Sequence, residues 1–177
     1  DDERVAAMSG LSKGNVVTYG TGSNADVRAV NISFPRFGET RFDLVTPNGT
    51  AAVDFPLNGR HNILNALAAA AAGYTFGMTA AEVAAALASV VPPPQRGEVL
   101  HFNNGFTVVN DSYNSNPAAL LSMVATLIEG GGSAKRKIVV AGEMLELGDD
   151  ERSIHRQVGE EIAGMGVDKL IGVRGLA

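Results

Sequence analysis

Three consecutive prolines, Pro92 to Pro94, constrain this chain more than any other feature. Proline lacks a main-chain N–H and fixes φ, so neither a helix nor an interior strand runs through such a triplet. The chain therefore reads as two parts, with the boundary near Pro94–Gly97: residues 1–97 and residues 98–177. Before the prolines, residues 15–55 read as short strands, "NVVTYG", "DVRAVNISF", "TRFDLVTP" and "TAAVDFPL", separated by Gly, Asn and Pro. In the second of these, Val27, Ala29 and Asn31 alternate with Arg28, Val30 and Ile32. From Arg60 the texture turns helical. "RHNILNALAAAAAGYTFG" is Ala-rich and has Gly73 and Gly77 near its end. "TAAEVAAALASVV" follows, with Thr79 and Glu82 spaced as a capping box. Small side chains on both segments predict two closely packed helices.

After the prolines, "EVLHF" and "FTVVN" read as a hairpin around Asn103–Gly105. A helix from about Pro117, a strand "KIVVAG", a helix from about Asp150 and a strand "KLIGV" follow. Strand and helix alternate, and the apolar runs are continuous, as in parallel strands covered on both faces. The predicted class is α/β, with strands and two Ala-rich helices followed by part of a doubly wound, Rossmann-like sheet.

Composition bounds the function. The chain has 177 residues, 45% hydrophobic and 19% charged, which is ordinary for a globular protein. A net charge of −5 and the absence of Trp argue against a nucleic-acid partner. The absence of Cys excludes a disulfide scaffold or thiolate zinc site and fits a reducing cytoplasm. No apolar run reaches the roughly 18 residues of a membrane span, so no membrane insertion is expected. The chain opens on "DDER", unlike a signal peptide, and ends just after a fresh strand, so a piece of a longer protein is expected.

Several motifs offer chemistry. "GTGSNA", Gly20 to Ala25, matches G-x-G-x-x-A, but a strand and not a helix follows it, so it reads as a turn. No G-x-x-x-x-G-K-[ST] occurs. In "GRHNILN", His61, Asn62 and Asn65 sit at a helix start, the two Asn on one face. Their amides can pair with an adenine edge, or Asn62 can cap the helix with His61 in the turn. Arg96 in "PPPQRGE" is either a phosphate or ribose contact or a solvated linker charge. In "NDSYNSNP", Asn116 and Pro117 are a cap and first-turn proline. Asp111, read at the end of a parallel strand, either accepts ribose hydroxyls or starts an Asx-turn, with Tyr113 beside the same crevice. In "GEMLELGDDERSIH", Glu143 and Glu146 are candidates for a magnesium ion or a substrate amine, with His155 on the helix beyond; otherwise they are helix-start acids.

Taken together, "GRHNILNALAAA", "PxQRGE", "NDSYNSNP" and "GEMLELG…H…VG" resemble the Mur ligases, in order and over essentially the whole chain. The DSYN-x-NP string resembles the branch whose amine is D-alanyl-D-alanine and whose acceptor is UDP-N-acetylmuramoyl-tripeptide. The resemblance implies the end of a central ATPase domain followed by the start of a C-terminal domain. It implies ATP and Mg2+ as cofactors and an amide formed through an acyl phosphate. It implies that the phosphate loop, a magnesium-binding Glu and a carbamylated Lys precede Asp1. By the same resemblance His61, Asn62, Asn65, Arg96 and Asp111 hold the nucleotide, while Tyr113, Asn114, Asn116, Glu143 and His155 face substrate. The family often has Gly before the Arg, where this chain has Gln95. A ligase for another amine, or a nucleotide-binding module without catalysis, are the other expectations.

Overall fold

The computed structural model describes residues 2–132 and 134–177, which divide into two compact units near Val91/Pro92. The first unit opens with a short helix, α1 (Glu3–Ala7), capped by the Asp2 carboxylate. A four-stranded sheet follows, β1 (Tyr19–Gly20), β2 (Val27–Arg36), β3 (Glu39–Thr46) and β4 (Gly49–Phe55), in the order β1-β2-β3-β4. Two helices, α2 (Arg60–Thr75) and α3 (Ala80–Ala88), complete it.

Period-two patterning builds the sheet. Thr40, Phe42, Leu44 and Thr46 of β3 are buried, as are Val53 and Phe55 of β4. The intervening Arg41 and Asp54 are exposed and paired at 2.8 Å. Helix α2 meets the buried face with Ile63, Ala66, Leu67, Ala70 and Ala71, the spacing of one helical stripe. Helix α3 adds Val83, Ala84 and Leu87.

The join between the helices follows from glycine. Helix α2 ends in a Schellman motif: Met78 N–H donates to the Gly73 carbonyl at 3.0 Å and Gly77 N–H to that of Tyr74 at 2.9 Å. Gly77 has φ +87, which glycine adopts without strain. The Thr79–Glu82 capping box then starts α3 as expected.

Two local expectations are corrected. Of "NVVTYG", only Tyr19–Gly20 is strand. In the parallel register Tyr19 lies opposite Val27, the first residue of β2, so earlier residues have no ladder partner. The alternation of β2 also breaks. Asn31 has φ +54 and is exposed, and beyond it Ile32 and Phe34 pack on the core. The extra residue shifts the inward face by one, as a bulge does.

Thr18 and Asp26 clamp the two ends of the "GTGSNA" turn. Thr18 N–H and Oγ donate to Asp26 Oδ2 at 2.9 and 2.7 Å, and Asp26 N–H donates to Thr18 Oγ at 3.0 Å. The Thr18 N–H above all, then its hydroxyl, holds the Asp26 carboxyl below the ordinary aspartate value. A lowered folded pKa means stability that is present above the unfolded pKa, about 4, and lost as pH falls through the folded value. Asp26→Asn is therefore expected to lower the melting temperature at neutral pH, with the gap to wild type closing as pH falls through the lowered Asp26 value. A gap that persists unchanged at low pH would show that the carboxylate charge is not involved.

The second unit contains β5 (Glu98–His101), β6 (Thr107–Asn110), α4 (Pro117–Gly130), β7 (Ile138–Gly142), α5 (Glu151–Gly164) and β8 (Lys169–Val173). β5 and β6 pair antiparallel, and β7 and β8 pair parallel on either side of α5 in sequence. The hairpin turns at Gly105, with φ +83 and its N–H on the Phe102 carbonyl at 3.0 Å. The strand that leads into Asp111 thus has an antiparallel partner and not the parallel one expected. The Asn103–Gly105 turn returns the chain directly beside β5, which no crossover helix intervenes to prevent.

Val124 of α4, Val139 of β7, Met144, and Val158 and Ile162 of α5 form this unit's core. The expected cover on both faces of the strands is not found. Val139 is buried while its neighbours Ile138 and Val140 are 43% and 64% exposed. Among the described residues, no helix is long and apolar enough to cross a membrane.

Candidate functional site

The proline triplet delivers the chain into a tight turn. Gln95 has φ +59 and Gly97 has φ +68, so Arg96 lies between two left-handed residues. The Arg96 guanidinium stands over the Tyr113 ring, 4.1 Å from its centroid, a cation–π contact between two exposed side chains. Tyr113 N–H donates to the Gln95 carbonyl at 3.2 Å, which fixes the two segments together.

Asp111, two residues before Tyr113, is half-buried just past the end of β6. The Asx-turn belongs to its neighbour. Asn110 Oδ1 accepts the Ser112 N–H at 3.3 Å and the Ser112 hydroxyl at 2.8 Å. The Asp111 carboxylate takes no hydrogen bond among the described residues, so its lone pairs remain free for a ligand's hydroxyls. Sequence reasoning gave no role to Asn110 or to Glu98, whose Oε2 accepts from Asn110 Nδ2 at 3.2 Å. An Asn directly before an Asp at a strand end was the signal for the first.

The remaining residues of the string are used locally. Asn114 Oδ1 accepts the Ser115 N–H at 2.9 Å. Asn116 caps α4 by accepting the Ala119 N–H at 2.9 Å, with Pro117 in the first turn.

Beyond β7, Glu143 is half-buried and its Oε1 accepts the Leu176 N–H at 3.0 Å. Glu146 is exposed with φ +62. His155 on α5 is bonded through both nitrogens. Met144 N–H donates to Nε2 at 2.9 Å, and Nδ1 lies 2.8 Å from the Glu151 carbonyl. An amide only donates and a carbonyl only accepts, so the ring is the neutral Nδ1–H tautomer in this arrangement. Among the described residues, no three His, Asp or Glu side chains gather as ligands for a metal ion.

In the first unit, Gly59 is the N-cap of α2, with φ +89 and no side-chain cap bond, so Asn62 is not the cap. Asn62 Nδ2 instead donates to the Asn58 carbonyl at 2.7 Å, and Asn65 Nδ2 donates to Asn62 Oδ1 at 3.2 Å. The two amides are linked on one face, with Asn65 exposed and His61 half-buried beside them.

Two family profiles match this chain: a Mur ligase middle domain over residues 1–73, and a Mur ligase, glutamate ligase domain over residues 95–176. A UDP-N-acetylmuramoyl-tripeptide–D-alanyl-D-alanine ligase of Escherichia coli is 38% identical over 151 residues, 85% of this chain and 32% of that protein. A MurF crystal structure from Acinetobacter baumannii matches all of the chain and 38% of its own, with TM-score 0.89 and 25% identity. A MurF ligase from Thermotoga maritima in complex with ADP matches 97% of the chain and 42% of its own, with TM-score 0.75 and 21% identity. The chain spans about a third of the length of the curated relatives it matches.

Proposed function

As the chain belongs to the Mur ligase family, we propose that the protein carrying it joins D-alanyl-D-alanine to UDP-N-acetylmuramoyl-tripeptide in an ATP-dependent amide synthesis. Residues 1–97 are then the end of its central domain and residues 98–177 the start of its C-terminal domain. The observation that carries the reading is the unbonded, half-buried Asp111 carboxylate, with Arg96 stacked on Tyr113 in the neighbouring segment. A carboxylate free to accept two hydroxyls, on a segment hydrogen-bonded to the one that carries a guanidinium suited to phosphate, fits a nucleotide.

ATP supplies the phosphoryl group that activates the acceptor carboxylate as an acyl phosphate for attack by the amine. Asp111 accepts the ribose hydroxyls. Arg96, its guanidinium over the Tyr113 ring, presents its N–H fork to phosphate or ribose oxygens. In the first unit, the His61 ring nitrogens and the Asn62 and Asn65 amides are read as further donors and acceptors for ATP. Tyr113, Asn114 and Asn116 line the substrate side. Asn116 serves there through its Nδ2, since its oxygen caps α4. Glu143 and His155 set the loop after β7 on that side. The described residues offer no carboxylate cluster for Mg2+, so no step through the ion is assigned to them. A soluble nucleotide-linked substrate and ATP imply a cytoplasmic reaction.

The test is phosphate release by the full-length protein. Release is expected to need ATP, UDP-N-acetylmuramoyl-tripeptide and D-alanyl-D-alanine together. Equal turnover with a different amine would favour another Mur-type ligase, and ATP binding without turnover a non-catalytic module. The 177-residue chain alone lacks a G-x-x-x-x-G-K-[ST] loop and is expected to release none. Robust release by it would contradict this assignment.

A further inference from the structure

Glu98 stands between the two segments that carry Arg96 and Asp111. Its Oε2 accepts the Gln95 N–H at 3.1 Å and the Asn110 Nδ2–H at 3.2 Å. Gln95 immediately precedes Arg96, and Asn110 immediately precedes Asp111. The other end of the Asn110 amide accepts both Ser112 donors, and Tyr113 N–H returns to the Gln95 carbonyl. These bonds close a ring from the proline turn through Glu98 and Asn110 to Tyr113 and back.

The turn needs this support. Gln95 sits at φ +59, a conformation sparsely populated by residues with a side chain. Its N–H is held by Glu98 and its carbonyl by Tyr113, so both faces of the strained residue are tied down. One ionised oxygen has the lone pairs for two donors, and bonds to a charged acceptor are stronger than neutral ones.

We propose that Glu98 is a positioning residue for the nucleotide contacts, setting Arg96 and Asp111 relative to each other through a single shared oxygen. The proposal rests on the reading of Arg96 and Asp111 as nucleotide contacts. Glu98 acts through its neighbours and touches no ligand.

The test is initial-rate kinetics of the full-length protein at varied ATP, with circular dichroism to check folding. Glu98→Leu is expected to raise the KM for ATP about tenfold while kcat changes less than about threefold, because preorganisation of binding groups is lost and not the reacting chemistry. Glu98→Gln keeps an acceptor oxygen at the same reach and is expected to restore KM to within about threefold of wild type. Asn110→Ala is expected to raise KM similarly, and the double variant Glu98→Leu/Asn110→Ala no further, as partners in one network are not additive.

A wild-type KM in Glu98→Leu, or effects of the two single variants that simply add, overturns the proposal. If Asp111→Ala raises KM in the same series, the nucleotide reading survives that failure. If Asp111→Ala leaves KM unchanged, the nucleotide reading itself is wrong. Should Glu98→Leu lack the native circular dichroism, Asn110→Ala decides: an unchanged ATP KM overturns the proposal.

Discussion

Asp111→Ala in the full-length protein is expected to raise the KM for ATP by about 10–100-fold, with kcat reduced far less. The range is that of one lost bond, the least expected of a carboxylate that accepts both ribose hydroxyls. A half-buried carboxylate with no protein donor among the described residues accepts the ribose hydroxyls without first giving up an internal bond. Each charge-assisted bond of this kind contributes about 1.5–3 kcal/mol, and about 1.4 kcal/mol is tenfold in affinity. Asp111→Asn keeps one acceptor oxygen but turns an N–H2 toward a donor, so its effect falls between wild type and Ala. Arg96→Lys tests the neighbouring contact. Lysine keeps the charge but loses the planar stack on Tyr113 and the bidentate fork, so a several-fold rise in KM is expected. Steady-state kinetics at saturating amine and acceptor read out all three.

Leu67→Ala is expected to destabilise the first unit by about 2–5 kcal/mol, the range for a large-to-small change that leaves a cavity. Leu67 is fully buried, at 0% exposure, in the hydrophobic core that α2 shares with the sheet and α3. Leu64 on the same helix is 37% exposed and provides the contrast. Leu64→Ala removes the same atoms from a site water already reaches, so a loss below about 1 kcal/mol is expected. Urea titration followed by circular dichroism separates the two. Equal losses would mean that α2 does not bury the stripe described.

Much of this was readable in the residues because the chemistry is local. The Thr79–Glu82 box, the Asn103–Gly105 turn and the Asn116–Pro117 helix start are each decided within a few residues of sequence, and each is found where expected. The β3 and β4 segments were readable because short runs of strand-forming residues lie between Gly, Asn and Pro.

What escaped depends on partners distant in the chain. Asn31 shifts the face of β2 through a positive φ that no neighbouring residue announces. The short β1 is set by where β2 starts. The antiparallel partner of β6 was implied by the turn at Gly105, but the strand-helix alternation after it pointed to a parallel sheet. At the candidate site, Arg96 and Asp111 were singled out as chemistry-bearing types, whereas the bonds of Glu98 to Gln95 and Asn110 come from the hairpin's fold. Gln95 explains its own oddity. A left-handed position is one glycine fills at no steric penalty, and a side chain there costs about 1 kcal/mol.

The most direct measurement is a crystal structure of the full-length protein with ADP bound. The expected result places the ribose hydroxyls within hydrogen-bond reach of the Asp111 carboxylate and an ADP oxygen within reach of the Arg96 guanidinium. ADP bound with both side chains out of reach would contradict the assignment of this strand end to the nucleotide.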